Sequence, residues 1–203
     1  MHADPRIRRV LLIAVSGLAT GILTQFGQSI LPDGWSQAAN AITPWLIVAF
    51  LVGSRMPDRP WAAGAGAATL VLAMVGYYAM TELRYGIGGG TSSLIFWGLG
   101  AVVGGPVFGI AGLAWRAGPD RERVVAIGLV AAVAIVEGLY HAVVLAEPSV
   151  AAGFIVVGLL APLILGRSRD ERLWGYVATL PGLALGAIGF LVFMLLYVRI
   201  TGV

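Results

Sequence analysis

Read as apolar and polar positions, the chain alternates between near-continuous hydrophobic runs and short polar clusters rich in arginine. A helix that crosses a bilayer needs about 20 mostly apolar residues. Seven runs meet or approach that length: Val10–Ile30, Gly34–Ser54, Trp61–Glu82, Ser92–Trp115, Val124–Ala146, Val150–Gly166 and Leu173–Val198. They are continuous rather than alternating, which selects helices over a β-barrel as the way to satisfy the backbone in hydrocarbon. The predicted fold class is all-α, a polytopic transmembrane bundle of seven spans forming one integral membrane domain over residues 1–203. Its solvent is the lipid bilayer, and its expected location is the cell (inner or plasma) membrane. The second run is the irregular one. Its strictly apolar part, Ala41–Gly53, is too short to cross alone. Either residues 33–40 extend the span, carrying Gln37 and Asn40 with them, or they form an interfacial helix ahead of a short span.

Composition agrees with this solvent. Hydrophobic residues make up 59% and charged residues 11%, where a soluble domain carries about a quarter charged. The formal charge of +3 is not a nucleic-acid signal, because all thirteen basic residues are arginine and they sit between the apolar runs. With the N-terminus inside, eleven of the thirteen fall on the inner side, leaving only Arg84 and Arg199 outside. The positive-inside rule therefore predicts N-terminus inside and C-terminus outside, and no nucleic-acid partner. The "RIRR" and "VLLIAVSGLA" segments resemble a signal peptide. The apolar run continues past Gly21, however, so an uncleaved first span is expected.

The 29 glycines lie mostly within the runs. Gly17/Gly21, Gly100/Gly104, Gly105/Gly109 and Gly182/Gly186 have small-xxx-small spacing, the pattern by which helices approach closely in lipid. Such faces suit packing within one chain or a homo-oligomer, and spacing alone does not separate the two. In the loops "RMPDRPW", "AGPDRER" and "RSRDERLW", Asp58, Asp120 and Asp170 precede helices and are expected to cap them.

The candidate chemistry lies in "VEGLYHAV", residues 136–143. Taking Glu147 as the outer limit of the fifth span, Glu137 is ten residues deeper, or about 15 Å, near the middle of a ~30 Å core. Ionisable groups at such depth are costly and usually face a cavity or a partner. Tyr140 and His141, at i+3 and i+4, share its helix face. Other polar groups fall in the same half of the bundle: Gln25 and Gln28, Asn40, Tyr78 and Glu82, with Trp45 close by. Pro44 has no amide to bond the Asn40 carbonyl, leaving that oxygen for water or a ligand. Together these predict a polar cavity open to the outer leaflet, with Glu137 at its floor and His141 paired to it.

The exclusions are informative too. Cysteine is absent, which removes thiolate metal sites and thiol nucleophiles. There is no lysine for a Schiff base, and the second histidine, His2, belongs to the N-terminal tail, so paired-histidine haem ligation is not available. No metal site and no cofactor is expected. The "GIGGGTS" stretch at 86–92 lacks a P-loop lysine and reads as a connector.

The segments "LPDGWSQAANAITPWLIVAFLVG", "MVGYYA", "GGPVFGIAGLAWR" and "EGLYHAVVL" resemble a family of small polytopic membrane proteins found in actinobacterial genomes, of unknown function. The resemblance spans most of the chain and draws attention to Trp35, Asn40, Trp45, Tyr77, Tyr78, Pro106, Glu137 and Tyr140. It implies a helical membrane fold and supplies no activity.

Two functions follow as expectations. In the first, the outer cavity binds or transports a small solute or ion, with Glu137 as proton or cation site, as midplane ionisable groups and Pro/Gly-interrupted spans suggest. In the second, Glu137 and His141 are the acid–base pair of an intramembrane enzyme acting on a lipophilic, isoprenoid-like substrate, with aromatic rings stabilising positive charge.

Overall fold

A computed structural model describes residues 4–87 and 90–201, apart from the side chains at 33, 190, 193, 194, 197, 200 and 201. His2, Gly88 and Gly89 lie outside the described residues. Eight helices and no strand occur among those described: α1 (Pro5–Ile30), α2 (Asp33–Ala39), α3 (Ile42–Gly53), α4 (Arg59–Tyr85), α5 (Thr91–Ala117), α6 (Asp120–Val143), α7 (Pro148–Leu165) and α8 (Arg169–Thr201).

Among the described residues, six stretches are long and apolar enough to cross a membrane: α1, residues 34–53, and α4 to α7. The seventh predicted span, Leu173–Val198, runs inside α8. The irregular second run is a broken helix. α3 has 12 residues, or about 18 Å at the helical rise, well short of the ~30 Å core. The seven residues of α2 make up the difference, with the chain turning extended at Ala41 between them.

Helix ends follow local chemistry. Asp58 caps α4, its carboxylate accepting from the Trp61 amide at 2.9 Å. Asp120 instead lies inside the first turn of α6 and pairs with Arg123. At α8 the cap is Ser168 rather than Asp170: its hydroxyl accepts from the Glu171 amide, and Glu171 accepts from the Arg167 amide. Asp120 and Asp170 therefore do not cap, but both lie in the first turn of their helices, where they meet the positive end of the dipole as expected. Gly86 closes α4 in the left-handed region, at φ 63°.

The helices pack as two groups, α1/α3/α4/α5 and α6/α7/α8, joined chiefly along α5 and α6. Close backbone approach supplies the packing. A β-carbon at Gly21 would strike the Ala73 carbonyl of α4, and one at Gly112 would strike the Phe50 carbonyl of α3. Gly105 and Gly109 face Gly66 and Ala62 of α4 in the same manner. Gly182 and Gly186 meet Ala132 and Val136 of α6. Three of the four glycine pairs picked out by spacing are thus spent inside the chain. The fourth is only half engaged: Gly104 faces Leu46, while Gly100 has open space beside it.

Candidate ligand site at a helix break

The break between α2 and α3 places a helix N-terminus inside the bundle. Such an end leaves four amides without intrahelical partners, and here each is accounted for. The Ala41 amide bonds the Ala38 carbonyl at 3.2 Å. The Ile42 and Thr43 amides donate to the two carboxyl oxygens of Glu137, Oε1 and Oε2, each at 2.6 Å. The fourth position is Pro44, which has no amide to satisfy and is tolerated for that reason in a first helical turn. A carboxyl at a helix N-terminus also meets the positive end of the helix dipole. Glu137 therefore caps α3 from α6 and ties the two helix groups together.

On the other side of the break is a cavity of about 190 Å³ between the Asn40–Leu46 segment, α4 and α5. Asn40, Trp45, Met74, Tyr77, Tyr78 and Trp97 are among its walls. Trp45 and Tyr77 meet edge-on at 6.4 Å between ring centroids, and Tyr77 and Tyr78 at 5.2 Å. From behind, α1 holds two of the rings. Trp45 Nε1 donates to Thr24 Oγ1 at 3.0 Å, and the Tyr77 hydroxyl donates to Gln28 Oε1 at 2.7 Å. Aromatic walls fixed by polar groups on their outer side make a preformed recess.

A second cavity of about 330 Å³ lies among α5, α6 and α8. Phe108, Leu129, Val133, Val136 and Leu185 line it, and Glu137 is its one ionisable wall among the described residues.

The structure brings some of the expected site residues together and separates others. Asn40, Trp45 and Tyr78 share the aromatic recess. Gln25 and Gln28 stand behind it rather than in it; Gln25 is buried at 3% exposure. Glu137 does not floor that recess but borders the second cavity. Among the described residues no hydrogen bond joins Glu137 to His141, and each bonds elsewhere. His141 Nδ1 lies 3.1 Å from Glu147 Oε2, and its ring stacks on Phe154 at 5.4 Å. The cause is the loop after α6: Ala146 takes a positive φ of 56°, and the Glu147 amide returns to the His141 carbonyl at 2.9 Å. Tyr140 meets the His141 ring edge-on at 5.9 Å and belongs with that cluster. Glu82 is exposed. Its neighbour Arg84 reaches Ser29 and lies over the Phe26 and Tyr85 rings instead.

Sequence reasoning missed Glu147 as the partner of His141, and it did not single out Thr24 or Met74. The one available signal was Pro44, whose place in a first turn marks a helix start.

Apolar helices of spanning length and a break capped from a neighbouring helix define a multi-pass helical membrane protein. The chain belongs to the family of unknown function DUF6518, whose model matches residues 2–196. No curated protein and no solved structure matches it.

Proposed function

We propose that this protein binds a small solute in the aromatic recess beside the break in the second span, as a transporter-like site. The observation that carries this reading is the break itself. Discontinuous spans border substrate sites in transporters; here Glu137 takes the amides of the broken end, and the aromatic recess borders the other side of the break. A volume near 190 Å³ lies below the roughly 300–1,000 Å³ of drug-sized pockets, so the solute is small. The ring faces of Trp45, Tyr77, Tyr78 and Trp97 suit an apolar or organic-cation surface, and Asn40 supplies orientation. Glu137 acts as the proton-responsive element of the site. Protonating its carboxyl weakens its hold on the two α3 amides, which loosens the break next to the solute. Solute uptake into proteoliposomes should then respond to an imposed pH gradient, and Glu137→Gln should abolish that response.

The direct test is native mass spectrometry of the purified chain for retained small molecules. Tyr78→Ala and Trp97→Ala should lose the retained species while keeping the helical signal in circular dichroism. Retention unchanged in both variants would refute the recess as the site.

One observation favours the second reading, an intramembrane enzyme. Glu137 borders a cavity otherwise walled by apolar residues, which suits a lipophilic substrate. Against it, His141 does not line that cavity and turns to Glu147. The acid–base pair is divided. An isoprenoid-like lipid as the retained species, lost in Gly186→Leu but not in Tyr78→Ala, would favour the enzyme.

A further inference from the structure

A cavity of about 910 Å³ lies at the end of the bundle that holds the start of α1. Five arginines line it: Arg8 and Arg9 from α1, Arg55 after α3, Arg116 near the end of α5, and Arg167 before α8. Among the described residues, no carboxylate lines it. Asp170 is exposed and outside the lining, and five other acids near this end are engaged elsewhere. Asp4 and Asp58 cap α1 and α4, Glu122 pairs with Arg59, and Asp120 and Glu171 pair with Arg123.

Two of the arginines are held in place by the fold. Arg116 donates to the Ser54 carbonyl at 2.8 Å. Arg167 donates to the Trp115 and Arg116 carbonyls at 2.9 and 3.1 Å, satisfying the last turn of α5. A guanidinium has five N–H donors, so both keep donors for a further acceptor. Among the described residues, Arg8, Arg9 and Arg55 pair with no carboxylate. Five positive charges around one recess, with no internal counter-charge, call for an anion.

The walls say which kind. Leu12, Val48 and Leu51 continue the cavity away from the arginines along α1 and α3. A free phosphate would engage the arginines and leave that apolar wall unused, and it would fill a small part of the volume. We propose that this cavity binds an anionic phospholipid, its phosphate forked by the arginines and an acyl chain laid along α1 and α3. Arginine matches phosphate oxygens with paired donors, and basic pockets between spans at the headgroup level are where such lipids are held.

The test uses the full chain, delipidated in a neutral detergent, and reads thermal unfolding and native mass spectra. Phosphatidylglycerol should raise the melting temperature and remain bound. Phosphatidylcholine with the same acyl chains, or inorganic phosphate, should do neither at equal concentration. Each arginine removed should weaken the half-saturating phosphatidylglycerol concentration about fivefold. Arg9→Gln/Arg55→Gln should therefore shift it by about 25-fold, and Arg84→Gln/Arg121→Gln, with the same charge change away from the cavity, should not. If the double variant fails to fold, Arg9→Gln and Arg55→Gln singly carry the test at about fivefold each. Equal stabilisation by phosphatidylcholine would overturn the proposal, as would a full shift with inorganic phosphate alone or an unchanged titration in the arginine variants.

Discussion

Replacing Glu137 by glutamine keeps the size and shape of the side chain and removes one of its two acceptors. In the native protein Oε1 and Oε2 each accept one α3 amide, from Ile42 and Thr43. Glutamine offers one carbonyl oxygen and one NH₂, so whichever way it is turned a donor faces a donor. The stranded backbone N–H costs about 1–3 kcal/mol, and the facing NH₂ about as much again. The expected loss is therefore roughly 2–6 kcal/mol, against a total stability on the order of 5–15 kcal/mol. For a chain of this length, each kcal/mol corresponds to about 2–4 °C in melting temperature, so a fall of at least about 4 °C is expected. Thermal unfolding in detergent, followed by tryptophan fluorescence, measures it. Hydrogen exchange resolved at Ile42 and Thr43 localises it: both amides should be protected in the native chain and one exposed in the variant. A glutamine variant that melts within about 1 °C of the native protein, with both amides still protected, would refute the capping argument.

Three further outcomes are expected. His141→Gln should lose the stack on Phe154 and disturb the Glu147 contact, lowering stability by about 1–3 kcal/mol; the retained small molecule should be unaffected, and its loss would reunite His141 with the site. Gly112→Val should prevent stable folding, because a β-carbon there strikes the Phe50 carbonyl, whereas Gly100→Ala should be silent in size-exclusion and thermal assays. In the otherwise cysteine-free chain, Ser149→Cys should react with a membrane-impermeant thiol reagent from outside intact cells and Ala117→Cys should not; labelling of the latter would invert the orientation drawn from the arginines.

The spans were legible because lipid as solvent makes the pattern coarse: long apolar runs, with arginine between them. The glycine contacts were legible for the same reason, since Gly21, Gly105 and Gly109 have no hydrophobic drive to lean on and must pack by backbone approach. Glu137 could be singled out by its cost. Its partners could not, because they are backbone amides of a helix 94 and 95 residues away and leave no side-chain signature. Helical spacing alone put His141 with Glu137. The positive φ at Ala146 overrode that spacing by folding Glu147 back, which i, i+4 geometry does not anticipate. The arginines were read for topology, and counting them by segment hid that five, from four segments of the chain, converge on one cavity.

The distance in sequence between α3 and its cap has a consequence for how the chain is made. When α3 leaves the ribosome, the carboxyl that will hold its first amides has not been synthesised. At about 5–20 residues per second, the 94 residues between Thr43 and Glu137 take roughly 5–20 s to appear. During that interval the Ile42 and Thr43 amides lack the partner that holds them in the finished fold. The capped form of the second span is therefore completed only after α6 has been made.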